Sequence, residues 1–243
     1  MSTKFQTIGL SLSLLFSLFS CSSDDGASDN DGLNPIACNE TENIVYEEKD
    51  GLITVEFESN PNLSDWQKET AINEFLGTHY IIWKGDQSLN NPGNGLLTYK
   101  IQINNPGTYR FLWRSRIAQG TSGTEHNDSW LRFADADDFY GQKDQSTVYP
   151  QGTGQTPNPN GASKDGWFKI YLNGTGSWKW QAKTSDNDPH QIFVVFDNPG
   201  IYTMEVSARS SYHALDRFTL FNTNVSVETA TDDANEVSAT LCD

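Results

Sequence analysis

Along most of the chain, apolar and polar residues alternate with a period of two. In Leu52-Ile53-Thr54-Val55-Glu56-Phe57-Glu58 the alternation sets Glu56 and Glu58 on one face and Val55 and Phe57 on the other, since successive side chains of a strand point to opposite sides. Similar runs bounded by Gly, Pro and Asn turns predict strands at His79–Trp83, Leu96–Ile103, Thr108–Ile117, Ser129–Phe133, Phe168–Leu172, Ser177–Ala182, Gln191–Phe196, Ile201–Ala208 and Ala214–Phe221. Only Asp65–Phe75 has helical spacing, and it is short. Ten strands and one brief helix predict an all-β fold, an antiparallel two-sheet sandwich.

An internal echo supports two sheets. Asn105-Pro106-Gly107-Thr108-Tyr109 and Asn198-Pro199-Gly200-Ile201-Tyr202 each separate two strands, and an arginine follows seven residues after each tyrosine, Arg116 and Arg209. The two segments are expected to be equivalent hairpins, Pro-Gly making the reversal and the tyrosine anchoring the next strand. Asp135–Gly166, rich in Asp, Gly, Gln, Pro and Asn, interrupts the rhythm and is expected to be a long loop. Such a loop in a compact domain is usually functional or disordered; its aromatics favour the first, and Tyr140 within it is a candidate wall for a binding site.

The ends of the chain differ from this pattern. Lys4 is followed by an apolar run from Ile8 to Phe19, and Leu18-Phe19-Ser20-Cys21 resembles a bacterial lipobox. Residues 1–20 are thus read as a lipoprotein signal peptide with lipidation at Cys21, and 21–36 as a flexible acidic tether lacking apolar bulk. The folded domain is expected over 37–243. Ser22-Ser23-Asp24-Asp25 resembles the acidic export signal of Bacteroidetes surface lipoproteins, which implies an outer-membrane lipoprotein facing outward, with the periplasmic face as the alternative. Cys38 and Cys242 remain, one near each end of the domain, and an oxidising compartment favours a disulfide between them.

Charge narrows the choice of partner. The chain carries 16 Lys and Arg against 32 Asp and Glu, a formal net charge of -16, which disfavours nucleic acid and anionic polymers unless basic groups concentrate at one place. No Gly-x-Ser-x-Gly elbow, His-Glu-x-x-His helix or phosphate-binding glycine loop is present, and the four histidines are scattered. Sugar recognition asks for aromatic faces beside planar donors and acceptors, and the chain has seven Trp, nine Tyr and thirteen Phe. The densest combination is Arg116 followed by Glu125-His126-Asn127-Asp128-Ser129-Trp130. That segment reads either as hydroxyl recognition, or as an Asx turn at Asn127 and Asp128 beside a core Trp130.

Several motifs occur together in a fixed order: Val55-Glu56-Phe57-Glu58, Gly77-Thr78-His79-Tyr80-Ile81-Ile82-Trp83, Pro106-Gly107-Thr108-Tyr109 with Arg114 and Arg116, Gly176-Ser177-Trp178-Lys179-Trp180, and Leu215-Asp216-Arg217-Phe218. From about Leu52 to Phe221 the chain resembles family 6 and related carbohydrate-binding modules of the galactose-binding-like, jelly-roll superfamily. The resemblance implies a structural calcium ion held by Glu56, Glu58 and Asp216. It further implies a loop-end sugar site in which Trp178 matches the clamping aromatic, with Tyr80 as its approximate partner and Trp83 in the same motif. The family's asparagine position is Ala214 here, a departure that leaves His213 as a substitute donor.

The expected function is non-catalytic binding of a polysaccharide or oligosaccharide by a membrane-anchored lipoprotein, in company with outer-membrane glycan-uptake or degradation proteins. The alternatives are a glycan lyase or hydrolase built on Arg116, His126 and Asp128, or a protein-binding structural subunit of an outer-membrane complex.

Overall fold

A computed structural model describes residues 43–243. Cys21 and Cys38 therefore lie outside the described residues, as do the signal and tether. In chain order the strands are β1 (Ile44–Glu47), β2 (Leu52–Glu56), β3 (Gln67–Glu69), β4 (Tyr80–Ile82), β5 (Leu97–Ile103), β6 (Gly107–Ile117), β7 (Asp128–Phe133), β8 (Asp138–Lys143), β9 (Ser146–Val148), β10 (Ser163–Lys164), β11 (Trp167–Tyr171), β12 (Lys179–Trp180), β13 (Gln191–Phe196), β14 (Gly200–Ala208), β15 (His213–Asn222) and β16 (Thr240–Cys242). One short helix, α1 (Val227–Ala230), is capped by the Ser226 side chain.

The strands form the expected two-sheet sandwich. The seven-stranded sheet runs β10-β11-β7-β14-β5-β1-β16, and the nine-stranded sheet runs β3-β4-β15-β6-β13-β8-β9, with β12 beside β6 and β2 beside β15. All pairings are antiparallel except β1 with β5. The core between the sheets takes one face of each strand. Leu131 and Phe133 of β7, Phe168 and Ile170 of β11, Phe111 and Trp113 of β6, and Phe218 and Leu220 of β15 all belong to it. Residues of opposite parity face outward, which decides where the functional groups sit.

The sequence echo marks a structural repeat of another kind. β5 and β6 lie in different sheets, as do β13 and β14, so the two Pro-Gly segments are corners carrying the chain across the sandwich rather than hairpins within a sheet. At each corner the tyrosine hydroxyl donates to the carbonyl of the asparagine four residues earlier, Tyr109 to Asn105 at 2.6 Å and Tyr202 to Asn198 at 2.9 Å. The proposed anchoring role of the tyrosine is thus the one observed.

Other expectations change. Residues 65–75 hold no helix but the short strand β3 and turns, and Trp66 is buried against Trp83. The first alternating run ends at Glu56, where a single 3-10 turn, Phe57–Ser59, takes over. Asp135–Gly166 is not one long loop: it contains β8, β9 and β10. The polar composition of those strands hid them, because each pairs at or near a sheet edge and buries only part of one face.

Candidate functional site

A cleft of about 490 Å³ opens on the outer face of the seven-stranded sheet, lined by the 124–128 segment together with Gln87, Leu89, Lys169, Asp186, Arg209 and Ser210. Register explains the convergence. Lys169 stands opposite Trp130, which stands opposite Ser207. Since Leu131, Phe168, Ile170 and Val206 point into the core, Asp128, Trp130, Lys169 and Arg209 turn the other way. Residues 84–95 lie across this face. The Ser88 amide donates to the Arg209 carbonyl at 2.7 Å, the Gly93 amide to Ser207 Oγ at 2.8 Å, and the Trp130 indole to the Ser88 carbonyl at 2.9 Å.

Asp128 is the hub. Its Oδ2 accepts from Arg209 Nη1 and lies 4.0 Å from Lys169 Nζ, which itself donates to Asp186 at 3.0 Å. Its Oδ1 is buried with no partner among the described residues, and so is Arg209 Nε. Ser210 clasps the Asp128 backbone, accepting from the amide at 3.1 Å and donating to the carbonyl at 2.9 Å. The Arg209 guanidinium sits 5.2 Å over the Trp130 ring, so packing fixes its plane as well as its charge. His126, at a positive φ of 57°, brings Nδ1 within 2.6 Å of the Ser211 carbonyl. A carbonyl only accepts, so Nδ1 carries the hydrogen and Nε2 of the neutral ring is an acceptor.

The structure therefore joins His126, Asn127 and Asp128 in one cleft, although Asn127 is largely spent on fixing the loop, donating to Leu172 O at 3.0 Å. Apart from Trp130, which lies beneath Arg209, the remaining sequence candidates lie elsewhere. Arg116 is on β6 beside Ala214 and acts on Tyr80, away from the cleft. Tyr140 is on β8, not in a loop, stacked on Phe193 at 5.6 Å and 19° on the outer face of the other sheet. His213 is fully buried between the sheets, with Nδ1 2.9 Å from Ser129 Oγ and its ring edge-on to Trp113. Burial lowers its pKa to about 4, against the pull of the Asp128 charge, so it is neutral and cannot reach a sugar.

The four candidate aromatics offer no open ring face. Tyr80, Trp83, Trp130 and Trp178 are all buried, Trp178 the least so at 8 % exposed. Tyr80 and Trp178 do pair, 5.2 Å apart and edge-on, but they close on each other in a small cluster with Ile82 and Ala214. The Trp178 indole donates to Asn73 O at 2.9 Å.

Sequence reasoning missed Lys169, Asp186, Arg209 and Ser210. Two signals were available. Lys169 is the one charged residue in Trp-Phe-Lys-Ile-Tyr, a strand buried at every position, and a buried lysine requires an acid. Arg209 is the arginine that trails the second corner.

The acids expected to hold calcium meet around the 74–79 loop. A Cβ at Gly77, whose φ is +63°, would come within 2.9 Å of carboxylate atoms of both Glu56 and Glu58; only glycine lets the backbone pass so near them. Glu58 Oε1 accepts from the Thr78 and His79 amides at 3.2 and 3.1 Å, and Glu56 Oε1 accepts from Arg217. The second oxygen of each is buried and unpartnered. Burial, with Glu56 adding, raises the Glu58 pKa, and burial pushes Asp216 up to about 7 despite Arg114 at 2.6 Å. Glu56 and Glu58 thus each keep one oxygen that no protein donor engages, the ligand chemistry a hard cation takes, although Arg217 already pairs with Glu56. Asp216 fits less well, being engaged by Arg114 and by the Leu76 amide at 3.1 Å, and no group of three metal-type side chains in ligating arrangement occurs among the described residues.

Fold and cleft together define a β-sandwich with a polar recess on the outside of one sheet. No family model matches the chain. It is 23% identical over 217 residues to an uncharacterized protein of Formosa agariphila, a match covering 74% of this chain and 46% of that protein, so the chain spans about half the length of this curated relative. Among solved structures, a GH26-CBM35 β-(1,4)-mannanase of Podospora anserina aligns with a TM-score of 0.42 at 17% identity, covering 71% of this chain and 28% of the mannanase. The fold assignment rests on the strands and their pairing.

Proposed function

We propose that this protein binds a polysaccharide or oligosaccharide without cutting it, through the Asp128 cleft, while lipid at Cys21 holds it to the outer membrane. One observation carries the reading: an open recess on the outer face of the sheet gathers Asp128, Asp186, Lys169, Arg209 and His126, the mix of planar donors and acceptors that sugar hydroxyls need. The motif order given above, which resembles sugar-binding modules, supports the same class of ligand. Recognition here is polar rather than by ring stacking, so affinity for a single sugar is expected to be modest. Tethering raises the local concentration of such a weak binder near enzymes or importers at the membrane.

Affinity electrophoresis of the mature chain on a polysaccharide panel tests the reading; retardation by at least one polymer is expected, and none on any polymer would retire it. New reducing ends or loss of viscosity on incubation would favour the catalytic alternative. Of the three residues that alternative uses, only His126 and Asp128 line the cleft.

Calcium between Glu56 and Glu58 is part of the same proposal, as a structural ion that would stitch β2 to the 74–79 loop. Thermal unfolding with calcium or with chelator is expected to separate by several degrees; coincident melting points would remove the ion.

A further inference from the structure

We propose that Ser146 is an activated nucleophile that removes small acyl groups, acetyl the simplest, from ester linkages borne on a polymer. The site lies on the other sheet from the Asp128 cleft and does not rest on the function proposed for that cleft. At the start of β9 the Ser146 side chain is exposed, and its Oγ is 2.8 Å from His190 Nε2. His190 Nδ1 is in turn 2.9 Å from the Asp188 carbonyl and 3.8 Å from the Asp188 carboxylate. A hydroxyl held by an imidazole, itself oriented by a third group, is the arrangement that activates serine in acyl transfer on unrelated folds, whatever the order of the residues in the chain.

The tautomer is the one this chemistry needs. The Asp188 carbonyl only accepts, so Nδ1 carries the hydrogen and Nε2 offers a lone pair. The Ser146 hydroxyl therefore donates to Nε2, the direction in which its proton must travel.

The base is held on every side. His190 is fully buried, and its backbone is clamped to Thr184, the amide donating to Oγ1 and the carbonyl accepting from the Thr184 amide, both at 3.2 Å. A Cβ at Gly141 would come within 2.9 Å of His190 Cβ, so glycine on β8 lets the histidine lie flush against that strand. Lys143 stands opposite Ser146 in the β8–β9 ladder and donates to Asp188 Oδ1 at 3.0 Å. It fixes the carboxylate and also puts a cation beside the nucleophile, where the attacked carbonyl oxygen gains negative charge.

The reaction balances without a further reagent. Ser146 Oγ attacks the ester carbonyl carbon as Nε2 takes the hydroxyl proton. The bond from that carbon to the carrier oxygen breaks, and the carrier alcohol leaves with the proton from Nε2. Water repeats the sequence on the acyl-serine, so one ester and one water give one carboxylic acid and one alcohol. The Asp188 carboxylate favours the imidazolium that forms between the steps. Because β9 is an edge strand of the larger sheet, an acyl group carried by a bulky chain reaches Ser146 from the side, and its removal leaves the polymer backbone whole.

The test treats the mature lipidated chain in detergent with a fluorophosphonate, p-nitrophenyl acetate and acetylated xylan. Peptide mass spectrometry is expected to place the phosphonyl group on Ser146, and acetate is expected to be released from both esters. Ser146→Ala, a change at an exposed position, is expected to abolish the labelling and to slow both hydrolyses at least tenfold. If that variant does not fold, the position of the label on the wild-type chain decides alone. No label, a label on another residue, or hydrolysis as fast in folded Ser146→Ala would overturn the proposal. Acetate release from p-nitrophenyl acetate alone would overturn the polymer as substrate. None of these outcomes bears on polysaccharide retardation, which tests the Asp128 cleft separately.

Discussion

His213 shows how one side chain can be prominent in a sequence and absent from the chemistry. It stands next to the position where the modules that the sequence resembles carry a sugar-binding asparagine, yet its ring is sealed between the sheets. Its depressed pKa has a thermodynamic consequence. The unfolded chain takes up a proton at about pH 6.5 that the folded chain refuses until about pH 4, so the stabilisation is complete above 6.5 and lost as pH falls through that window. The loss amounts to about 3 kcal/mol by linkage. Asp216 acts in the opposite sense, holding a proton up to about pH 7 that the unfolded chain has released, so the effect is best read as a difference. Urea midpoints at pH 7 and pH 4.5 are expected to fall less in His213→Asn than in the wild type, and parallel declines would contradict the assignment. Neither burial nor protonation was readable from a histidine between tyrosine and alanine, because the bulk that seals it comes from Trp113 and Ser129, distant in the chain.

At the level of elements, the two inter-sheet corners invite a paired comparison. Tyr109 is fully buried and its hydroxyl bond is short, whereas the Tyr202 hydroxyl bonds at an exposed site. Tyr109→Phe leaves a carbonyl without its donor and is expected to cost about 1–2 kcal/mol, while Tyr202→Phe, where water replaces the lost donor, should cost less than about 0.5 kcal/mol. Denaturant unfolding of both variants measures the contrast, and equal losses would show that the corners do not differ in this way. The strands on either side were legible because period-two alternation with a buried face is a strong local signal; Gln191–Phe196 falls at its expected residues. β8, β9 and β10 were not, because short polar strands near sheet edges owe their conformation to a neighbour's hydrogen bonds. The cleft was half legible for a related reason. Glu125 to Asp128 are contiguous, but Lys169, Asp186 and Arg209 reach them only through cross-strand register.

For the whole molecule, β16 brings Cys242 opposite Ile44 on β1, six residues after Cys38 in the sequence. Closure of the proposed bridge would constrain about 200 residues, and the chain-entropy model assigns it about 4–5 kcal/mol. Cys38→Ser with Cys242→Ser is expected to lower the unfolding midpoint under non-reducing conditions, and reduction should leave the double variant unaffected. A wild type that reduction does not destabilise would argue against the bridge.

The sheet orders carry one more consequence. The sheets end mostly on short strands: β10 and β16 bound the smaller sheet and β9 one side of the larger, none longer than three residues, while the other side is shared by β3, of three, and β2, of five, whose Thr54 is met on its outer side by Ser238. Long unpaired edges act as templates for pairing with another chain. If lipid confines these molecules to a membrane plane, they meet in two dimensions and far more often than in solution, so edges this short would let neighbours crowd together without zipping into one continuous sheet.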